Sequence, residues 1–236
     1  MKKYSSAEQD VVLSAQLYAI ERESKFDLLT LKELGDLLPG VILVNDLNNF
    51  QNIYMSKAGC DYLQTSPEEL FTLGPAYFSA KYFREDEMKW IAEGFMSMLD
   101  TGDQSLVCSF NQNVRPNANA DWKKFHLSGK ILDQNLAHCI YMAQEVSKAG
   151  TAIHQIAKVL NVKTPEPVAF QKFSSLTKRE KEIFQFIAKG FTNTQIADSL
   201  FISLATVLTH RKKIYGKLGL NKLSDVIRYA DIFGLL

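Results

Sequence analysis

Along these 236 residues the spacing of hydrophobic positions changes repeatedly, and each change marks a predicted element. Residues 8–35 read mainly as helix, ending near Gly35, and the Pro39-Gly40 pair that follows signals a turn. Val41-Ile42-Leu43-Val44 is a short β-rich run stopped by Asn45-Asp46, and Phe50 to Met55 predicts a second strand beyond an Asn-rich turn. Ala58 to Leu63 and Pro67 to Leu70 are short helical pieces. Over 85–99, Met88, Ile91, Phe95 and Met98 share one face of a longer predicted helix. Three strands are then predicted at 105–110, 122–128 and 138–143, the first two parted by the Asn-rich stretch NQNVRPNANAD.

Two strands, a group of helices and three more strands predict an α+β arrangement. One antiparallel sheet presents an apolar face that the helices cover. Residues 145–160 continue as a helix with Ala149, Ile153, Ile156 and Leu160 at a spacing of three to four. Residues 162–175, VKTPEPVAFQKFSS, hold two prolines and no sustained period, and are read as a linker.

Beyond the linker the helix starts are written out. Thr177 with Glu180, and Thr192 with Gln195, are capping boxes. The first opens the stripe Ile183, Phe184 and Ile187, which ends before Gly190; the second leads into Ile196, Ala197 and Leu200. Ser203 is placed to cap a third helix carrying Val207, Ile214 and Leu218, and Asn221 a fourth with Val226, Ala230 and Phe233. The stretch 192–218 has the pattern of a short helix, a turn at Phe201-Ile202-Ser203, and a longer helix suited to a DNA major groove.

Charge sharpens that division. The net charge is +1, but residues 1–170 hold 16 Lys and Arg against 21 Asp and Glu, whereas 171–236 hold 11 against 5. An excess of six positive charges in the small C-terminal part points to a polyanion. Hydrophobic residues at 46% and charged residues at 22% exclude wholesale disorder. No apolar run reaches membrane-spanning length, and the start runs into Ala7-Glu8-Gln9-Asp10 rather than an apolar signal core, so a cytoplasmic location and no membrane partner are expected. Cys60, Cys108 and Cys139 form no CxxC pair, and neither a disulfide scaffold nor a cysteine zinc site is expected.

Four stretches, LTKREKEI at 176–183, GFTNTQIADSL at 190–200, ISLATVLTH at 202–210 and IYGKLGL at 214–220, resemble the LuxR-type helix-turn-helix domain of bacterial transcription regulators. The resemblance implies that Glu180 helps hold the bundle together, and that Ile196-Ala197 and Thr206-Val207 pack the two motif helices. It places Leu208, Thr209 and Lys212 toward DNA, and makes the last helix, around 223–233, a dimer contact. Arg211, Lys212, Lys213 and Lys217 are phosphate candidates, while Thr192, Asn193 and Thr206 complete the candidate DNA-binding set. The chain departs from the family at two places. Leu208 stands where a Lys or Arg usually follows Thr-Val, offering an apolar group to a thymine methyl in place of a charged donor. Leu223 stands where the last helix often begins with Arg.

The element order of 39–144 resembles a PAS sensor domain, and YLQTSPEEL at 62–70 is similar to that family's segment after its second strand, without the usual Gly-Tyr. PAS domains often hold a small molecule between helix and sheet; Phe50, Tyr54, Trp90, Phe95, Cys108, Phe110, Trp122 and Tyr141 are the candidate lining, and a packed core uses the same residue types. His126 and His138 are read as surface strand histidines, and His210 as a packing or backbone-positioning residue. Cys60 lacks the Asn-Cys-Arg-Phe context of the flavin-binding photoreceptors.

The expected organisation is an N-terminal helical segment (1–38), a PAS-like domain (39–144), a connecting helix (145–161), the linker (162–175) and an all-α four-helix LuxR-type domain (176–236). The expected function is a non-enzymatic regulator with no cofactor, metal or catalytic residue. It binds double-stranded DNA as a homodimer joined through helix 223–233 and the PAS-like domain, and its DNA binding is modulated by a signal, a small molecule or a partner, sensed in that domain. The alternative is a sigma-like or protein-interaction module acting through RNA polymerase or another partner.

Overall fold

The computed structural model describes residues 4–24, 27–79, 81–133, 137–161, 166–233 and 235–236. The chain divides into two compact units, residues 1–164 and 165–236, each described by itself.

The first unit is built on five strands, β1 (Val41–Asp46), β2 (Gln51–Met55), β3 (Cys108–Val114), β4 (Lys123–Asp133) and β5 (His138–Glu145). They form one antiparallel sheet in the order β2-β1-β5-β4-β3, with Leu43 opposite Tyr141 and Phe110 opposite Leu127. Between β2 and β3 lie α3 (Lys57–Leu63), α4 (Pro67–Leu73) and α5 (Glu85–Asp100). Ser66 and Glu69 form a capping box at the start of α4, and α5 buries Ile91, Phe95 and Met98. Two predicted strands differ in extent: β3 reaches Val114 instead of stopping at 110, and β4 runs on to 133.

Both faces of this sheet are covered, not one. The helices between β2 and β3 pack on the inner face with Leu43, Phe110, Leu127 and Tyr141. The outer face of β1 and β5, including Ile42, Val44, Ile140 and Met142, packs into a core with α1 (Ser6–Ser24), α2 (Leu28–Leu37) and α6 (Ala149–Val159). This explains why Val41-Ile42-Leu43-Val44 and Cys139 to Ala143 are continuous buried runs without polar alternation. The predicted 8–35 helix is two helices. Gly35 lies inside α2 and does not end it; a Cβ there would collide with the Tyr54 hydroxyl.

α1 is buried on every side from Val12 to Glu21 because it touches β4, α2 and α6. Where it crosses β4 the sheet offers polar side chains, and the helix answers them. Ser14 Oγ lies 2.6 Å from Ser109 Oγ and 2.9 Å from Ser128 Oγ. The Tyr18 hydroxyl donates to the Ser105 carbonyl, and Lys130 pairs with Glu21, both ionic side chains being nearly inaccessible. Burial pushes the Glu21 carboxyl up and the Lys130 ammonium down, each opposed by the charge of the other. On the far side, Gln16 Nε2 donates to the Ile153 carbonyl at 2.8 Å and ties α1 to α6.

His126 belongs to this buried layer, which corrects its reading as a surface histidine. Its Nδ1 is 3.3 Å from Asn111 Oδ1 and 3.4 Å from Asp10 Oδ1, and Ser128 Oγ is 3.3 Å from its Nε2. The sequence of β4 hid this, because a polar strand face normally meets water and here it meets a helix. His138 is only partly buried, opposite Asp46 at the start of β5.

The second unit holds α7 (Pro167–Ser174), α8 (Lys178–Ala188), α9 (Asn193–Leu200), α10 (Leu204–Leu218) and α11 (Leu223–Ile232). The segment read as linker thus contains a helix from 167, and residues 162–165 lie outside the described ones. Pro167 begins α7, where its missing N–H costs nothing, and Phe173 is fully buried, stacked on Phe233 at 4.3 Å and edge-on to Phe184 at 6.1 Å. The four helices expected over 176–236 are α8 to α11, and α7 adds a fifth to the unit among the described residues.

Two outcomes are expected from the α1 layer. Lys130→Met alone leaves the Glu21 carboxylate buried without its cation and lowers stability by about 3 kcal/mol or more, while pairing it with Glu21→Leu recovers most of the loss. Denaturant midpoints of the three variants measure this. Burial, opposed by Asp10, holds the His126 pKa below its ordinary 6.5, so the unfolded chain takes up the proton first. Stability should fall as pH drops through 6.5, and thermal melts of His126→Gln at pH 7.5 and 5.5 should show a smaller drop than those of the unaltered chain.

Candidate functional site

The surface that best fits a function is α10 and the turn before it. Three local devices hold them in place. In each of the two capping boxes, the threonine N–H donates at 2.8 Å to the side chain of the third helical residue, whose own N–H donates back at 3.2 Å. Ser203 Oγ accepts the Thr206 N–H at 3.1 Å and starts α10. Lys222, not Asn221, precedes the first residue of α11; the Asn221 N–H instead donates to the Asp225 carboxylate at 3.4 Å, which corrects the expected cap.

The helix ends are equally specific. Gly190 takes a positive φ of 82°, the Phe191 N–H donates to the Phe186 carbonyl, and the two rings meet at 5.0 Å. The same motif closes α9, but with Phe201 at φ 52° in the left-handed position. A bulky side chain there is unfavourable by about 1–2 kcal/mol, and Phe201 is 95% exposed, so burial does not offset it. Arg179 braces the turn by donating to the Leu200 carbonyl at 2.9 Å while paired with Glu182.

α10 buries Val207, Ile214 and Leu218, so the opposite side of its wheel carries Ala205, Thr209, Lys212 and Gly216, flanked by Leu208 and Lys213. All six are exposed. Of the predicted DNA-binding residues, Leu208, Thr209, Lys212 and Lys213 therefore share one surface. Thr206 is half-buried at its edge, its hydroxyl 2.8 Å from Ser203 Oγ. Arg211 lies on the flank toward the core, its guanidinium 5.7 Å from the centre of the Tyr215 ring. Thr192 is exposed and occupied in capping, and Asn193 is half-buried with its Oδ1 unpaired inside.

Lys217 is not on this surface. Its ammonium reaches the other way, donating to Glu180 Oε2 at 2.6 Å and the Ser175 carbonyl at 3.2 Å. Burial alone raises the Glu180 carboxyl, but Lys217 and the Thr177 N–H outweigh it and hold it below the usual range. Glu180 does bind the bundle together, with Lys217 as its counter-ion. Spacing could not separate this lysine from its neighbours, since the partner lies 37 residues away.

The first unit holds a cavity of about 90 Å³ between its inner helices and the sheet. Among the predicted lining residues, Phe110 and Tyr141 reach it. Phe50 and Phe95 line an adjoining cleft that shares Phe78, Met88, Ile91 and Tyr141 with the cavity. Trp90 is half-exposed with its ring edge-on to Phe110 at 5.9 Å, and Cys108 packs against the same core. Tyr54 falls on the opposite face of the sheet, donating to the Lys32 carbonyl, and Trp122 lies on the surface under the Arg115 guanidinium. Neither lines the cavity.

Sequence reasoning missed the cavity's polar groups. The inward row of β3 is Phe110, Gln112 and Val114, a period of two that stopping the strand at 110 cut short. Gln112 is 4% exposed and, among the described residues, its Nε2 meets only the Met88 sulfur, at 3.0 Å, a weak acceptor. Asn45 Oδ1 accepts from Asn52 Nδ2 at 2.9 Å, and burial keeps the Tyr141 phenol neutral. No charged side chain among the described residues lines this space. Among the described residues, no cluster of His, Cys, Asp and Glu could hold a metal ion, and no helix is long and apolar enough to cross a membrane.

Residues 174–230 match the family of bacterial regulatory proteins, luxR family, so the second unit carries a LuxR-type helix-turn-helix domain. It is 41% identical over 61 residues to the Fimbriae Z protein of Escherichia coli (strain K12), covering 26% of this chain and 29% of that protein. It is 47% identical over 58 residues to the Oxygen regulatory protein NreC of Staphylococcus aureus (strain JH9), covering 25% and 27%. The chain thus matches less than a third of the length of these curated relatives. Across 86% of its length it aligns with a Vibrio cholera VqmA-ligand-DNA complex, covering 87% of that chain at 18% identity and a TM-score of 0.36. Over 49% it aligns with the PAS domain of a LuxR-family regulator from Burkholderia thailandensis, covering 96% of that chain at 17% identity and a TM-score of 0.38. The PAS-like character of the first unit is carried by its own sheet order and intervening helices.

The turn gives a direct check. Phe201→Gly removes an exposed side chain from a left-handed position and should raise the stability of the helix-turn-helix unit by about 1 kcal/mol, read from its thermal or denaturant midpoint.

Proposed function

We propose that this chain is a transcription regulator that binds double-stranded DNA through α10 and adjusts that binding to a small molecule held by the PAS-like unit. The carrying observation is the outward face of α10. Its back is locked into a five-helix unit by Val207, Ile214 and Leu218, and its front offers Leu208, Thr209, Lys212 and Lys213 on a helix that fits a major groove.

The active form is a homodimer, which sets two such helices one turn of DNA apart, about 34 Å, on a twofold-symmetric site. α11 supplies a surface for this: Leu223 and Ile227, four residues apart, are both more than two-fifths exposed. The ligand is small, neutral and largely apolar, because aromatic and aliphatic side chains dominate the cavity wall and, among the described residues, no charged one lines it. A route from the cavity to α6 runs through single strands. Leu43 and Tyr141 line the cavity, while Ile42 and Met142, their neighbours in sequence, pack on the outer face in the core that includes α6. Ligand binding shifts the fraction of chains able to hold both half-sites, to the extent that the two states differ in affinity.

Selection of genomic fragments by the purified full chain, without RNA polymerase, tests the proposal. A recovered motif with twofold symmetry is expected; absence of any enrichment refutes it and favours action through a polymerase or protein partner. On a recovered site, Lys212→Ala should weaken binding and reduce the salt dependence by about one counterion, seen as a shallower plot of log affinity against log salt.

A further inference from the structure

The first two turns of α10 differ in chemistry from the rest of its outer face. Leu204 is 47% exposed and Leu208 49%, and four residues apart they form one aliphatic ridge. Ala205 is exposed beside them. The hydroxyls here are occupied locally. Thr209 Oγ1 donates to the Ala205 carbonyl at 2.9 Å, and the Thr206 and Ser203 hydroxyls share a bond of 2.8 Å. Arg211 and Lys212, three and four residues beyond Leu208, are the nearest cations along the helix, and Arg211 is turned over the Tyr215 ring.

A helix entering a major groove leads with these residues. Polar base edges set against leucine would lose their water without gaining a partner, which is unfavourable. In unmodified DNA, one group on the groove floor is apolar: the C5-methyl of thymine. We infer that the leading end of α10 selects its site by packing Leu204 and Leu208 against thymine methyl groups, while Lys212 and Lys213 hold the phosphates. This rests on the DNA-binding reading above and adds to it the chemistry of base choice.

The inference separates the methyl from every other feature of the base pair, because deoxyuridine pairs as thymine does and lacks only that group. The probe is a duplex carrying the motif recovered by genomic selection, with each thymine replaced singly by deoxyuridine and titrated with the full chain. At one or two positions in each half-site, affinity should fall about fourfold, the effect of one methyl kept in water. Leu204→Ala/Leu208→Ala, an exposed pair whose loss leaves the bundle core intact, should erase that difference between the thymine and uracil duplexes.

If the motif is recovered and every uracil duplex binds as tightly as its parent, this inference fails and the DNA-binding reading stands. The same follows if the double alanine variant keeps the full uracil penalty. If no motif is recovered at all, both fall together.

Discussion

Covering both faces of one sheet is the constraint on which the first unit depends. Its central strands β1 and β5 are apolar on both sides, so neither face can meet water. The inner helices close one side; α1, α2 and α6 close the other, and α1 lies between two unlike surfaces. Toward α2 and α6 it meets a largely apolar core, and against β4 it meets His126, Ser128 and Lys130. A wholly apolar α1 would strand those groups. Asp10, Ser14 and Glu21 answer them one by one, which fixes the helix along its axis in a way that grease alone would not. Because α6 packs on α1 and is tied to it through Gln16, its position is inherited from that ladder.

The second unit uses one buried acid in a comparable way. Glu180 closes the capping box of its own helix and also takes the Lys217 ammonium from α10. One carboxylate therefore sets where α8 begins and how α10 is rotated about its axis. Rotation is what matters for a groove-reading helix, since a turn of 100° exchanges one face for the next. The lysine closest to the C-terminal end of α10 is spent on this, so the positive surface is narrower than the basic composition implies.

The parts legible in the sequence were those encoded locally. Capping boxes at Thr177 and Thr192, the Ser203 cap and the Gly190 stop each involve residues within a few positions, and each is formed. What escaped depends on distant partners. Whether Tyr54 or Tyr141 faces the cavity is a matter of strand register, and the two predicted strands bearing them look alike. His126 reads as a surface residue until α1 is laid over it, and Lys217 as a phosphate ligand until Glu180 is brought near. α7 was concealed by Pro165 and Pro167 in the sequence, although Phe170 and Phe173 at helical spacing were the available signal. In the candidate DNA surface, the residue types were readable and their orientation was not.

The PAS-like sheet also bears on how a signal could cross the first unit. A sheet with one wet face has nothing on that side to feel a change in the cavity. Here Val41 to Val44 on β1 and Cys139 to Ala143 on β5 belong alternately to the cluster on the cavity side or to the core holding α1 and α6. Packed interiors respond to volume changes by shifting between discrete arrangements, not by absorbing them. A change that spread Leu43 and Tyr141 would act on Ile42 and Met142 through the backbone between them. The polar ladder on β4 holds α1 by hydrogen bonds and an ion pair, whereas α6 packs on α1 through a mainly apolar core that includes Ala149, Ala152, Ile153 and Ile156, with the Gln16 bond beside it. The two sides of α1 therefore differ in the kind of contact they make, and the difference follows from which strands carry polar side chains.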